Sequence, residues 1–314
     1  MLGRTQPITL TRAIYACPSC GSEEYASIGK SAAPFPCDAS STPLYHPSYV
    51  IQECSQCGLL FKSHTLTAGV LSDYYSDLNF APFEGEYDFP TDAALLAQLK
   101  QVRANGRILD YGCSTGRILH ALGPGYQRFG IEVNDAAAKM AVERGINIIS
   151  EADLAQDRMG RFDAIVLADV FEHLIEPTAT VHLLASRLAH QGKLLIVTGF
   201  ADAVLPRSLI GEHWYFSICG HLQMLSGRHL NWLAQTAGLE VASLEKMSHY
   251  RRERARLAKQ IGRAVLFTLA RAAAGSNLGG VMHRLPILKR GFSWTHMPST
   301  DQFSDHVLAV LTKH

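Results

Sequence analysis

The most constraining stretch of this chain is Ile108-Leu109-Asp110-Tyr111-Gly112-Cys113-Ser114-Thr115-Gly116. A short apolar run ends in an acid, two glycines follow, and a helical pattern opens at Thr115. Gly112 and Gly116 let the backbone turn sharply and let a ligand approach atoms that a side chain would cover. The loop amides and the helix N-terminus can bind a carboxylate, and Asp110 can take a charged amine. Glu132 ends the next apolar run, about twenty residues on, where an acid receives two ribose hydroxyls. The spacing is not G-x-G-x-x-G, because Ser114 stands two places after Gly112. An adenosine-type ligand is therefore favoured over the dinucleotide of a dehydrogenase.

The surrounding pattern carries this loop into a fold. A helix is predicted over 92–103, with Leu95, Leu96, Leu99 and Val102 on one face. Strands are predicted at 107–109, 128–132, 146–149, 162–168 and 193–198, with helices over 115–122, 135–144 and 178–188 between them. The continuous apolar run of Phe162 to Ala168 suits a parallel strand covered on both faces. A helix over 226–236 with Ser226 as N-cap, then strands at 239–244 and 306–311, complete the set. Alternating strands and helices at this spacing imply an α/β fold, a doubly wound Rossmann-like sheet. Three regions follow: 1–75, 76–248 as the ligand-binding core, and 249–314 as a basic helical insertion with the last strand of the sheet.

Region 1–75 holds five of the seven cysteines. Cys17-Pro18-Ser19-Cys20-Gly21 and Cys54-Ser55-Gln56-Cys57-Gly58 are two C-x-x-C-G knuckles, each able to place two thiolates on one tetrahedral ion. Four ligands close the site, so the reading is structural Zn²⁺ in a small zinc ribbon, replacing a core that so short a region cannot build. Cys37 and His46, between the knuckles, read as bystanders. Seven cysteines in a chain without a secretory leader point to metal or chemistry rather than disulfides. With no apolar run long enough to cross a bilayer, the expected location is the cytoplasm, extending to the inner face of the membrane.

The order of parts resembles the class I S-adenosyl-L-methionine-dependent methyltransferases, in the branch with an "EHL" signature after the fourth strand. Leu109 to Gly116, Gly130-Ile131-Glu132, Phe162 to Leu174 and Gly192 to Val197 carry the resemblance, which spans roughly residues 90–245. It implies that Asp110 and Gly112 face the methionine part of the donor, Glu132 the ribose, and Asp153 and Leu154 the adenine. Cys113, Ser114 and Gly116 of the loop, and Asp169 after the fourth strand, join that set. Ser114 stands where the family often has glycine. An N-terminal ribbon before such a core is similar to sugar methyltransferases of deoxysugar and polysaccharide pathways. The C-methylating members carry a further large C-terminal domain, so O-methylation of a sugar, glycan precursor or other small-molecule hydroxyl is the expectation.

Transfer to a hydroxyl needs alignment and a base. His221 is the first candidate and His173 the second, with Glu172 beside it; Asp169, Glu172 and His173 could also hold a divalent ion. Equally, Glu172 and His173 could cap the next helix. His213-Trp214-Tyr215-Phe216 and Gly220-His221-Leu222 are expected to build the acceptor pocket. Residues 251–290 contain ten Lys or Arg and one acid, Glu253. With Leu257, Ile261, Val265 and Leu269 at helical spacing, this segment can meet an anionic membrane or a lipid-linked acceptor, or it is a packed helix with a solvated basic face. An RNA-modifying enzyme with a zinc knuckle is the rival reading. The net charge of +1 and the lack of a basic-aromatic surface in 1–75 argue against nucleic acid. A non-catalytic donor-binding protein is the remaining alternative.

Overall fold

The computed structural model describes residues 11–31, 35–36, 45–46, 48–77, 89–203, 207–250, 253–274 and 304–313. Cys37 and residues 251–252 and 275–290 of the basic segment lie outside these. The main sheet has seven strands, β1 (Arg107–Tyr111), β2 (Gln127–Ile131), β3 (Asn147–Ile148), β4 (Phe162–Ala168), β5 (Leu188–Gly199), β6 (Leu239–Met247) and β7 (His306–Lys313), in the order β3-β2-β1-β4-β5-β7-β6. β1 to β5 run parallel, and β7 is antiparallel to both β5 and β6. The helices are α1 (Ala68–Ser76), α2 (Pro90–Leu99), α3 (Arg117–Leu122), α4 (Asp135–Glu143), α5 (Glu151–Ala155), α6 (Pro177–Arg187), α7 (Gly227–Thr236) and α8 (Arg254–Ala274).

The core follows from the apolar runs. Ile165 to Leu167 on β4 and Leu194 to Ile196 on β5 are fully buried, as strands covered on both faces must be. Two helices differ from expectation at their starts. α2 begins at Pro90, whose fixed φ suits the first helical position. α3 begins only at Arg117, because Gly116 at φ 76° supplies its N-cap. β5 extends back to Leu188, which pairs with Phe162. Ser226 does cap α7, accepting from the His229 amide.

The N-terminal region is woven into this core. Strands Tyr25–Lys30, Val50–Cys54, Leu60–Lys62 and Gln223–Met224 form one four-stranded antiparallel sheet. Lys62, fully buried, donates from Nζ to the Ile218 carbonyl at 3.1 Å. Tyr49 donates its hydroxyl to the Phe216 carbonyl at 2.9 Å, and Ser226 Oγ donates to the Gly58 carbonyl at 2.7 Å. His46 packs edge-on against Tyr49. Cys219, in the same apolar cluster, is disulfide-bonded, which departs from the expectation that the cysteines serve metal or chemistry.

α8 packs through a side other than the apolar stripe read from the sequence. Ile261, Val265 and Leu269, predicted as an apolar face, are 45%, 51% and 46% exposed. Among the described side chains of α8 the buried ones are Gln260, Phe267 and Ala270, rotated away from that stripe. No helix among the described residues is long and apolar enough to cross a membrane.

Candidate active site

A cavity of about 670 Å³ opens at the carboxyl edge of the parallel strands, where ligands of such sheets bind. One end is lined by Asp110, Tyr111, Gly112, Cys113, Ser114, Glu132 and Glu151. Gly112 sits at φ 80°, and a Cβ there would lie 2.5 Å from Val170. The loop is thus closed against the turn after β4, and its glycine is dictated by packing as much as by any ligand. Gly116 is not on the wall; a Cβ on it would press on Ile146 and Ala141. Its φ of 76° turns the chain into α3.

Glu132 is held by two amides. Ser114 N donates to Oε2 and Asn134 N to Oε1, each at 2.8 Å. Asp110 is buried, and its Oδ1 has no hydrogen-bond partner among the described residues. Burial, then the charge of Glu132, push its carboxyl up to about 7. A buried acid with an orphaned oxygen fits a site for a cationic group. Burial and the neighbouring Glu151, which accepts its hydroxyl, raise Tyr111 as well.

Two expected positions are displaced. Asp153 is half-buried, accepts from Ser150 Oγ at 2.6 Å and pairs with Arg158 at 3.1 Å; Leu154 is fully buried in the core. Neither lines the cavity, whose wall there is Glu151. α5 begins at Glu151, whose side chain reaches the cavity, while Asp153 and Leu154 point elsewhere.

The other end of the cavity is lined by Ala68, Leu71, Tyr75, Phe89, Asp169, His173, Leu174, Ile175 and His249. The aromatic loop expected there is core instead. His213, Tyr215 and Phe216 are buried, and no residue from 213–222 is among those lining the cavity. The reason is the small antiparallel sheet. Gln223–Met224 joins it as an edge strand, and the preceding aromatics fill the space between the two sheets.

His173 is on the wall, in the turn after β4. Its Nδ1 lies 2.8 Å from the Tyr75 hydroxyl and 3.0 Å from the Gly220 carbonyl, and Tyr75 also donates to that carbonyl at 3.2 Å. Because Tyr75 gives its proton to a group that only accepts, its oxygen can receive Nδ1–H. The assignment leaves a lone pair on Nε2. His221 stands behind His173, with ring centroids 4.9 Å apart, and its Nε2 is 4.0 Å from Glu172. Burial, then the charge of His173, hold His221 well below the usual imidazole range. Glu172 accepts from Thr198 Oγ1 at 2.8 Å, and its carbonyl accepts the Leu222 amide. Gln223 Nε2 donates to the Phe171 and Leu174 carbonyls, both at 2.9 Å. The 213–224 loop thus braces the turn that carries His173.

The expected single cluster of Asp169, Glu172 and His173 divides in two. Glu172, His173 and His221 form one group able to converge on an ion, and Asp169, His249 and His306 form another. Asp169 takes φ 53° at the end of β4, which turns it away from the residues three and four places on. The four knuckle cysteines do converge. All their sulfurs lie within 4.8 Å of one another, with Cys17–Cys57 at 3.5 Å and Cys20–Cys54 at 3.4 Å. Zn–S bonds of about 2.3 Å place tetrahedral sulfurs roughly 3.8 Å apart, so the quartet fits the ion. Gly21 and Gly58 have φ 74° and 78°, as the knuckles require.

A profile of the methyltransferase domain family matches residues 87–244. The chain belongs to this family. It is an S-adenosylmethionine-dependent methyltransferase. It is similar to the ubiquinone biosynthesis O-methyltransferases of Xanthomonas axonopodis pv. citri (30% identical over 179 residues) and Xanthomonas euvesicatoria pv. vesicatoria (29%). Each match covers 50% of this chain and 72% of the relative. Among solved structures, magnesium protoporphyrin IX methyltransferase from Synechocystis with bound SAH is similar with a TM-score of 0.45 and 17% identity, covering 57% of this chain and 92% of that one.

Tyr75, Glu151, His249 and His306 join the site without a sequence pattern that marks them. Tyr75 lies at the end of the cysteine-rich region, on a helix whose pattern is weak. His249 and His306 are far apart in sequence and meet only because β7 runs antiparallel and begins where β6 ends.

Proposed function

We propose that this methyltransferase transfers the donor's methyl to a hydroxyl of a small molecule with a ring or other apolar body, and that His173 takes the hydroxyl proton. The carrying observation is the division of the cavity. One end is polar and acidic, and the other presents Leu71, Phe89, Leu174 and Ile175 around His173 and Tyr75. The aromatic and aliphatic side chains here suit the flat apolar face of a phenol-like acceptor, while Asp169 and His249 stand on the same wall. The similarity to ubiquinone biosynthesis O-methyltransferases supports a hydroxyl acceptor. The bound donor supplies an electrophilic methyl on sulfonium sulfur. Asp110 holds its ammonium, Glu132 its ribose, and the Gly112 to Ser114 backbone lets it lie close.

The exposed stripe of Ile261, Val265 and Leu269, beside the exposed Arg254, Arg256, Lys259 and Arg263, gives α8 a surface for anionic lipid. An acceptor held in a membrane would then be reached from it. One experiment tests both parts: transfer of labelled methyl to nucleotide sugars, lipid-linked glycans and polyhydroxyphenols, in solution and in anionic or neutral vesicles. The expected result is labelling of phenols, faster from anionic vesicles. Labelling of sugars alone would overturn the acceptor reading, and equal rates from both vesicles the lipid reading.

The cysteine quartet holds structural zinc in this reading. The purified chain is expected to carry one zinc per molecule by atomic absorption. Cys54→Ser should lower the melting temperature and raise the acceptor KM. Donor affinity should change far less, because Leu60–Lys62 pairs with Gln223–Met224 on the acceptor side of the molecule. Zinc-free protein with an unchanged melting curve would remove the ion from the fold.

A further inference from the structure

The Asp169, His249 and His306 group shares only Asp169 with the ion site expected from the sequence and stands apart from the cysteine quartet. Asp169 ends β4, His249 follows β6, and His306 opens β7, where it pairs with Gly199 of β5 and Met247 of β6. The antiparallel strand therefore begins at the edge where the parallel strands end. Their ligand atoms lie within 4.8 Å of one another, and His306 Nε2 is 4.0 Å from Asp169 Oδ1. The His249 and His306 rings stack with centroids 4.7 Å apart and planes inclined at 26°.

Around these three sits a supporting shell. His306 Nδ1 lies 2.9 Å from Asp305 Oδ1, and both residues are buried. A carboxylate on Nδ1–H fixes the tautomer and leaves Nε2 as the ligating nitrogen. His249 Nδ1 lies 3.3 Å from Thr91 Oγ1, and Phe89 packs on its ring at 4.5 Å. Asp169 and His249 line the cavity while His306 closes the group from behind, so further coordination positions face the cavity.

We propose that Asp169, His249 and His306 bind one divalent first-row transition ion on the acceptor side of the cavity, with Asp305 as the outer carboxylate. Two imidazoles and one carboxylate select zinc, iron, cobalt or nickel over magnesium and calcium. Bonds of about 2.1 Å set neighbouring ligand atoms roughly 3.0–3.4 Å apart. The group reaches that by closing about an ångström, within the range of side-chain rotation. The site does not depend on the identity of the acceptor.

The test is titration of the full zinc-loaded chain with Co²⁺ after unbound zinc is removed, followed by visible absorption. One further equivalent is expected, giving weak d–d bands without thiolate-to-cobalt charge transfer. His249→Gln is expected to weaken Co²⁺ binding at least tenfold. Asp305→Asn should weaken it by about 10- to 100-fold, and Glu172→Gln should leave it unchanged. Thermal melts accompany each variant, and His249→Gln, at a half-buried position, keeps the test intact if Asp305→Asn unfolds. No second equivalent, only charge-transfer bands, unchanged affinity in His249→Gln, or loss in Glu172→Gln would each overturn the site. Donor affinity measured calorimetrically on the same samples reports separately on the methyltransferase reading.

Discussion

Asp110→Asn is expected to make the donor-free protein more stable at pH 8 while weakening donor binding about 100-fold. The two effects share one cause. In the donor-free fold Asp110 is buried beside Glu132, and its carboxyl is raised from 3.8 to about 7. A raised carboxyl pKa means that the folded state holds the proton more tightly than the unfolded chain. The resulting loss of stability begins as pH rises past about 4 and is complete above about 7. A displacement of this size corresponds to a gross cost on the order of 4 kcal/mol. Asparagine removes it but buries an amide short of partners, at roughly 1–3 kcal/mol. The net gain is a higher melting temperature at pH 8 and none at pH 4.

Donor binding reverses the preference. A cationic amine requires the ionised carboxylate, so affinity in the native protein should rise with pH up to about 7, and binding at pH 6 should release a proton. Losing the charge-assisted contact costs about 3 kcal/mol, hence the 100-fold. Calorimetry in two buffers of different ionisation enthalpy reads the proton release, and melting at pH 4 and 8 reads the stability. Undiminished donor affinity in Asp110→Asn would take the donor's ammonium away from this residue.

The acidic end of the cavity was legible because the residues that line it are local. Asp110, Gly112, Cys113 and Ser114 lie within five consecutive residues, and Glu132 follows at the end of the adjacent strand. A strand, a turn and a helix fix their relation almost independently of the rest of the chain. Glu151, two positions before Asp153, lines the cavity instead, because the loop after β3 sets which side chains of the first turn of α5 face inward, and helix phase is the least certain thing to read from five residues.

The other end was legible only in part. His173 follows β4 directly, which places it on the cavity wall. The aromatics 214–216 follow β5, where a pocket is expected, yet they are consumed by packing against the small antiparallel sheet. That sheet is assembled from strands more than 150 residues apart, Leu60–Lys62 against Gln223–Met224. Periodicity within either segment carries no trace of the pairing. The same pairing places α1 and its Tyr75 against His173. Likewise Ile261, Val265 and Leu269 on α8 show the correct helical spacing, but spacing does not say which side of a helix meets the protein.

His173→Asn is expected to lower kcat by about 10²- to 10⁴-fold with donor affinity unchanged, the range for removing a general base. The argument rests on position and on the proton inventory around the ring. His173 lines the cavity and His221 does not. Tyr75 donates to the Gly220 carbonyl and can receive Nδ1–H, which leaves the Nε2 lone pair for an acceptor hydroxyl. Tyr75→Phe removes that receiver while the Gly220 carbonyl remains within 3.0 Å. Its loss should therefore be the smaller, about tenfold, and confined to kcat. His221 acts differently, since burial keeps it neutral and it touches His173 through ring packing at 4.9 Å. His221→Asn should also slow turnover, but through misplacement of His173, with the acceptor KM rising alongside the fall in kcat. Single-turnover methyl transfer across pH separates these cases. A base leaves an acid limb that vanishes in His173→Asn and persists in His221→Asn. If the limb instead survived in His173→Asn and disappeared in His221→Asn, the proton would pass to His221, and the turn after β4 would serve only to frame it.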